Sequence, residues 1–133
     1  MTDHHSAPGP AGDGVVIVRR VGELDLHRAR ELRDALLGPI HDGACGVVVD
    51  FTATTFCDST VFSVLVEAYR AAAARNVPFA IAGGETAVAR PLQLLGLDRL
   101  LPLHTGLDPA LAAVTERAAA GCGDASGPSA ARS

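Results

Sequence analysis

The chain contains no lysine and no tryptophan, and its aromatic residues make up only 4% of the total. All eleven basic residues are arginines, which excludes Schiff-base chemistry and the lysine of a Walker-type phosphate loop. The formal net charge of −4 argues against nucleic-acid binding, because that affinity comes mainly from clustered cations. With so few aromatic residues, the core must consist mainly of Ala, Val and Leu.

Metal-binding patterns and long apolar runs are also missing. Cys45, Cys57 and Cys122 lie far apart and form no C-x-x-C pair, so their spacing indicates neither a disulfide framework nor a zinc site. The adjacent His4 and His5 lack the further ligands that a metal site needs. No run approaches the eighteen apolar residues of a membrane span, and the first residues show no signal-peptide pattern. We therefore expect a cytoplasmic protein without metal, cofactor or membrane association.

The length of 133 residues corresponds to one ordinary domain. Residues 1–14 and 120–133 are rich in Gly, Pro, Ser and Ala, a composition that buries little apolar surface. We interpret these segments as flexible tails on either side of a single domain that spans residues 15–119.

Within this domain, short β-branched segments alternate with segments whose apolar residues recur at helical spacing. Asp25 stands where the N-cap of the first helix should be, and Gly38-Pro39 is expected to end that helix. The alternation predicts an α/β fold, a small mixed and mostly parallel β-sheet with about four α-helices. The predicted strands are 15–21, 46–50, 78–82 and 100–103, and the predicted helices are 26–37, 61–75, 86–95 and 108–119.

The functional surface of such a sheet usually lies at the carboxyl ends of its parallel strands. In this chain those ends lead into residues 22–25, 52–59 and 83–85. The segment 51–57 is expected to be a loop that leads to the second helix. Residues 50–60 are therefore the first place to look for chemistry.

Two catalytic or phosphoacceptor interpretations of this segment are weak. Cys57 or Ser59 could be a nucleophile with His27 as its base, but no G-x-S-x-G elbow or oxyanion loop accompanies them. Asp50 could be a phosphoacceptor like that of response-regulator receivers. Such a site depends on an acidic pair that holds magnesium and on a lysine, and the chain has no lysine. We expect no enzymatic activity.

A third interpretation assigns the function to Ser59. Its hydroxyl stands at the start of a helix, where free backbone N–H groups and the helix dipole would tolerate a phosphate. The simpler alternative is that Ser59 is only the N-cap of that helix, a role worth about 1 kcal/mol. Composition and spacing leave both open.

Several short motifs follow one another in a characteristic order: GELD at 22–25, VVVDFTATTFCDST before a helix, AIAGG, and then Arg90-Pro91-Leu92 with Leu95-Gly96-Leu97. Together they resemble the STAS domain of bacterial anti-sigma-factor antagonists, and the resemblance extends over roughly residues 15–119. It implies a small mixed sheet with helices and a protein without catalytic activity.

The resemblance also implies partner switching. An unphosphorylated antagonist binds an anti-sigma factor that is also a serine kinase, and it is released when that kinase phosphorylates it; a phosphatase would restore binding. The family's acceptor corresponds to Ser59, preceded by Asp58, with Thr60 the less favoured hydroxyl. The Asp of the GELD motif corresponds to Asp25. With Ser63 on the second helix, these residues form the predicted partner-binding surface.

Two departures from the family pattern stand out. Val61 occupies the place of a common Gly, which would add a side chain where the kinase approaches. Residues 1–14 make a poor first strand, so the edge of strand 15–21 is either open or paired in a homodimer.

The alternative function is a STAS interaction module that does not switch, in which Ser59 is only a helix cap. The outward residues of the second helix belong either to the partner surface or to an ordinary solvated face: Val66, Glu67 and Arg70.

Overall fold

The computed structural model describes residues 9–10, 14–83 and 88–126. The strands in these ranges are β1 (Gly9–Pro10), β2 (Val15–Leu24), β3 (Gly46–Cys57), β4 (Phe79–Ala82) and β5 (Leu103–His104). They form one sheet in this order, in which β1 is antiparallel to β2 and all other neighbours are parallel. The predicted mixed, mostly parallel sheet is confirmed, and the apolar run at 46–50 lies at its centre.

The helices are α1 (Leu26–His41), α2 (Thr60–Ala74), α3 (Ala89–Leu94) and α4 (Leu107–Ser126), with a 3-10 helix at Leu97–Arg99. They lie on both faces of the sheet, which explains why residues 46–49 of β3 and all of β4 are continuous apolar runs. Alternate strand residues belong to two separate buried clusters. Val47, Val49, Phe79 and Ile81 pack with α1 and α2, and Val48, Ala80 and Ala82 pack with α4.

The close packing of α4 depends on Gly46. A Cβ at this position would lie 2.3 Å from Cγ1 of Val114 on α4, a distance at which one of the two backbones would have to move. The glycine at the start of β3 therefore sets how near the helix approaches the sheet.

The predicted loop at 51–57 is instead the second half of β3. It pairs with β2 as far as Leu24 opposite Cys57, whereas β4 stops at Ala82, opposite Asp50. Two register shifts interrupt the β2–β3 pairing, and Gly22 adopts a positive φ of 83° beside one of them, as is typical of bulges. The two long strands therefore project beyond the rest of the sheet.

Helix α1 does not end at Gly38-Pro39, as predicted, but continues to His41. Ile40 follows Leu36 by one turn and is fully buried like it, so apolar burial outweighs the hydrogen bond that Pro39 cannot donate. Helix α4 also extends beyond its predicted end at residue 119, to Ser126. Its sequence is rich in alanine and has no proline after Pro109, so the helix continues through Gly121 and Gly123 although glycine is a poor helix former.

The third helix and the last strand are shorter than predicted. Helix α3 begins at Ala89, and residues 84–87 lie outside the described part of the chain. The strand predicted at 100–103 starts only at Leu103, because the backbone N–H of Leu101 still donates to the carbonyl of Leu97 in the preceding turn.

The edge of β2 has a partner that the composition of residues 1–14 did not predict. Gly9 lies opposite Ile17 and Pro10 opposite Val16. A pairing of two residues is too short to produce an alternating pattern, so the sequence could not indicate it. The limits of both tails and the homodimer remain predictions.

The cysteines also differ from the expectation. Cys45 takes part in a disulfide, and Cys57 is the free cysteine among the described residues. The partner of Cys45 lies outside the described side chains. Spacing along the sequence indicated no disulfide, because such bonds depend on the distance between Cα atoms in the fold.

Candidate functional site

The ends of β2 and β3 bring two of the predicted segments together. The strands finish side by side, and the backbone N–H of Asp58 donates to the carbonyl of Leu24 at 2.8 Å. Asp25 and Asp58, each the first residue after its strand, therefore lie at the same edge of the sheet. Of the third predicted segment, only Gly83 belongs to the described residues.

Asp25 caps α1, as predicted. Its backbone is extended, and its Oδ1 accepts a hydrogen bond from the backbone N–H of Arg28 at 2.9 Å. The Nη1 of Arg28 turns back and donates to the carbonyls of Val21 and Glu23, at 3.0 and 2.8 Å. The β2–α1 turn is therefore held from both sides. The sequence analysis missed this role of Arg28, since nothing in the pattern distinguishes it from other surface arginines.

The carboxylate of Asp58 caps α2. Its Oδ2 accepts from the backbone N–H of Thr60 at 3.0 Å and from the Thr60 hydroxyl. The side-chain bond first, and then the backbone bond, lower the pKa of Asp58 below its ordinary value, so the group is a carboxylate at neutral pH. The alternative in which the Ser59 side chain caps α2 is wrong, because the Ser59 backbone is already helical and its side chain makes no capping bond.

Ser59 is exposed, and its hydroxyl makes no hydrogen bond within the described part of the chain. Its neighbour Thr60 is half-buried and uses its hydroxyl to donate to Asp58. Ser63 is exposed one turn further along α2. Val61, expected to crowd the approach to the acceptor, has no exposed surface, so its side chain stays beneath the helix.

An open groove of about 600 Å³ lies beside Ser59, between α2 and the α3 region. Two neighbouring leucines are strongly exposed, Leu94 by 79% and Leu95 by 63%, although the sequence analysis did not single them out. The groove is lined by Ser59, Phe62, Ser63, Val66, Glu67, Arg70, Leu95 and Leu97. Four of these lining residues are apolar, so the groove offers an apolar floor directly next to the candidate acceptor.

The other candidates in the segment have less suitable surroundings. Cys57 is half-buried, and burial raises the pKa of its thiol to about 11, so the thiol is protonated at neutral pH and is a poor nucleophile. His27 is exposed and lies 3.5 Å from the Glu31 carboxylate. Asp50 is only 2% exposed, and its Oδ1 accepts from the N–H and hydroxyl of Thr52.

The described residues include no group of three or more potential metal ligands. In the same part of the chain, no helix has both the length and the apolar character needed to cross a bilayer.

The fold and the order of the motifs agree with a known family. Residues 10–110 match the model of the STAS domain, which covers most of the chain. The chain therefore belongs to the STAS-domain family.

Several individual relatives and solved structures are similar to this chain over most of its length. Over 102 residues the chain is 29% identical to the anti-sigma-F factor antagonist RsfB of Mycobacterium tuberculosis, a match that covers 77% of this chain and 83% of RsfB. The crystal structure of an anti-sigma factor antagonist from Mycobacterium paratuberculosis aligns with a TM-score of 0.71 at 30% identity, covering 86% of this chain and 99% of that one. A substituted RsbS from Moorella thermoacetica aligns with a TM-score of 0.69 at 27% identity, covering 84% and 95%.

Proposed function

We propose that this protein is an anti-sigma-factor antagonist that works by partner switching. In its unphosphorylated form it binds an anti-sigma factor through the surface around Ser59, and phosphorylation of Ser59 releases it. The observation that carries this proposal is the exposed hydroxyl of Ser59, which makes no capping bond and no other hydrogen bond within the described residues and lies between the carboxylate of Asp58 and an apolar groove. The antagonists among the relatives support the same class of function.

Ser59 is the best acceptor of the three hydroxyl groups. The hydroxyl of Thr60 is tied to Asp58 and would have to give up this bond to react. Ser63 lies within the second turn of α2, where the backbone is closed into helical hydrogen bonds and cannot extend into a kinase. Ser59 precedes the first residue of the helix, so only the entry to α2 would need to adjust.

Release follows from charge. A phosphate adds about −1.5 to −2 at pH 7, next to the ionised Asp58. Within the described residues no arginine bonds to Ser59: Arg28 donates to two backbone carbonyls, and Arg33 pairs with Glu67. A partner seated over Ser59 would therefore have to desolvate a dianion without a counter-charge, a cost of several kcal/mol. Dissociation then requires no refolding of the antagonist.

In this proposal the partner is both anti-sigma factor and serine kinase, and it supplies the ATP site. A phosphatase returns the protein to its binding form. The contact surface lies at the carboxyl ends of β2 and β3 and on the first turns of α2. It consists of Asp25, Asp58, Ser59, Thr60 and Ser63. The cycle takes place in the cytoplasm.

The test uses purified anti-sigma factors of the serine-kinase class from the same genome, incubated with the full chain, ATP and magnesium. Binding and intact mass are followed together. The wild type should bind without ATP, then gain one phosphate and dissociate. Ser59→Ala should stay bound and unmodified, and Thr115→Ala, a hydroxyl control on α4 at the opposite face of the sheet, should behave like the wild type.

Two results would contradict the proposal. A phosphate that still appears on Ser59→Ala would place the acceptor elsewhere. If wild type and Ser59→Ala both stay bound and unmodified, the protein is an interaction module that does not switch.

A further inference from the structure

The electrostatic character of the groove beside Ser59 changes from its middle to its far end. Glu67, at its middle, is neutralised from α1 by a bidentate contact with Arg33, in which Nε and Nη2 each lie 2.8 Å from a carboxylate oxygen. Arg70 is exposed at the far end, and no ion-pair partner for it exists among the described residues. The net charge at that end is therefore positive, in a chain that is acidic overall.

The dimensions of the groove suit a helix. Ser59 and Arg70 are eleven residues apart on α2, which corresponds to about 17 Å at 1.5 Å per residue, or about three turns. Between these ends the groove presents Phe62 and Val66 from α2 and Leu95 and Leu97 from the opposite wall. An apolar floor with a charged residue at one end is the arrangement in which amphipathic helices dock.

We propose that this groove receives an amphipathic helix of the anti-sigma factor, whose apolar side chains lie on the floor and whose carboxylate pairs with Arg70. This inference rests on the proposed function and names the chemistry of the bound segment. An acidic residue is required because Arg70 would otherwise be desolvated as an unpaired cation when the helix docks.

The proposal assigns different tasks to the two ends of the groove. Arg70 is too far from Ser59 to neutralise a phosphate there, since the two are about 17 Å apart along the helix. Arg70 therefore contributes to the affinity of the unphosphorylated protein, whereas phosphorylation of Ser59 determines whether the protein is in that binding form. Loss of Arg70 should weaken binding and leave phosphate-dependent release intact.

Calorimetric titration of the anti-sigma factor that binds the wild-type chain tests this division. Arg70→Glu should weaken binding by at least about tenfold, and Arg70→Ala by less, and both losses should shrink as salt is raised. The matched control is Arg75→Glu, at the end of the same helix and outside the groove, which should bind within about twofold of the wild type. Thermal unfolding of each variant checks that the fold is retained.

A second pair of variants tests the apolar floor. Val66→Asp should abolish most of the binding, because a charge would be buried under the docked helix. Ala73→Asp, on an exposed part of α2 outside the groove, should not.

The outcomes separate this inference from the proposed function. If Ser59→Asp fails to bind while Arg70→Glu and Val66→Asp bind like the wild type, the switch stands and the groove is not the docking site. If Ser59→Asp binds like the wild type, the proposed function itself fails. Sedimentation of the free chain that shows a dimer lost in Val66→Asp would assign the groove to a second copy and overturn the inference.

Discussion

The sequence Asp-x-Thr occurs twice along β3 and its continuation, at residues 50–52 and 58–60, and the two copies make the same side-chain hydrogen bonds. In each, the carboxylate accepts from both the backbone N–H and the hydroxyl of the threonine two residues later. The middle residue is the fully buried Phe51 in the core copy and the exposed Ser59 in the surface copy. The same hydrogen bonds therefore accompany a buried aromatic ring in one place and an exposed hydroxyl in the other.

The position along β3 explains the difference. Asp50 lies where β3 still has a neighbour on each side, opposite Arg19 of β2 and Ala82 of β4, and its carboxylate lies 3.9 Å from the Arg19 guanidinium. The second copy follows the point where β3 has ended, and only α2 continues from it. The same bonding therefore holds a buried middle residue where β3 is flanked on both sides, and an exposed one where the strand has ended.

The largest effect should come from the middle of the core copy. Phe51→Ala should lower the free energy of unfolding by about 4 kcal/mol, because it removes a fully buried ring and leaves a cavity. Urea denaturation followed by circular dichroism measures the loss. Phe56→Ala is the matched control: Phe56 is 56% exposed on the same strand and should cost less than about 1 kcal/mol. Similar losses for both would mean that β3 is not embedded as described.

The second-largest effect on the free energy of unfolding is expected from the carboxylates of the two copies, Asp50 and Asp58. Asp50→Ala should cost about 2–3 kcal/mol, since it removes both hydrogen bonds of a carboxylate that is only 2% exposed and leaves a gap in the core. Asp58→Ala should cost clearly less, because the Asp58 carboxylate is more exposed and its removal leaves no gap in the core. The same denaturation experiment applies, and an equal loss at the two positions would remove the distinction between core and surface copies.

Much of the fold was predictable because it follows from periodicity. The apolar stripe of α2, the cap at Asp25 and the buried run at 46–50 were all recognised from spacing and are all confirmed. Features set by tertiary contacts were missed. Residues 51–57 lack a continuous apolar run, because buried and exposed positions are mixed along them, and they form a strand only because β2 runs alongside. The helical turn after Gly38-Pro39 likewise exists because Ile40 is buried.

The sequence predicted which segments meet at the candidate site, but it did not predict which hydrogen bonds their residues make there. The carboxyl ends of β2 and β3 meet as expected from a parallel sheet. The exchange of roles between Asp58 and Ser59 could not be foreseen, because both residue types are good caps and the choice depends on where the first helical residue falls. The exposed leucines at 94 and 95 also escaped notice, since the sequence does not show which apolar residues a short helix leaves outside the core.

A smaller effect is expected at the cap of α1. Asp25→Ala should lower the free energy of unfolding by about 1 kcal/mol, because the N–H of Arg28 loses its acceptor. Asp34→Ala, an exposed residue on the same helix whose nearest cation is 3.9 Å away, should change it by less than about 0.5 kcal/mol. Thermal unfolding at fixed pH distinguishes them. If the two variants have equal midpoints, Asp25 does not act as the cap.

The smallest change should be at Ser59 itself. Ser59→Ala should alter the free energy of unfolding by less than about 0.5 kcal/mol, because the hydroxyl bonds to no helix amide and the capping bonds come from Asp58. A capping serine would instead cost about 1 kcal/mol, and a loss of that size in urea denaturation would show that Ser59 shares the cap. A neutral result means that the fold makes no demand on this hydroxyl, which leaves it available for modification.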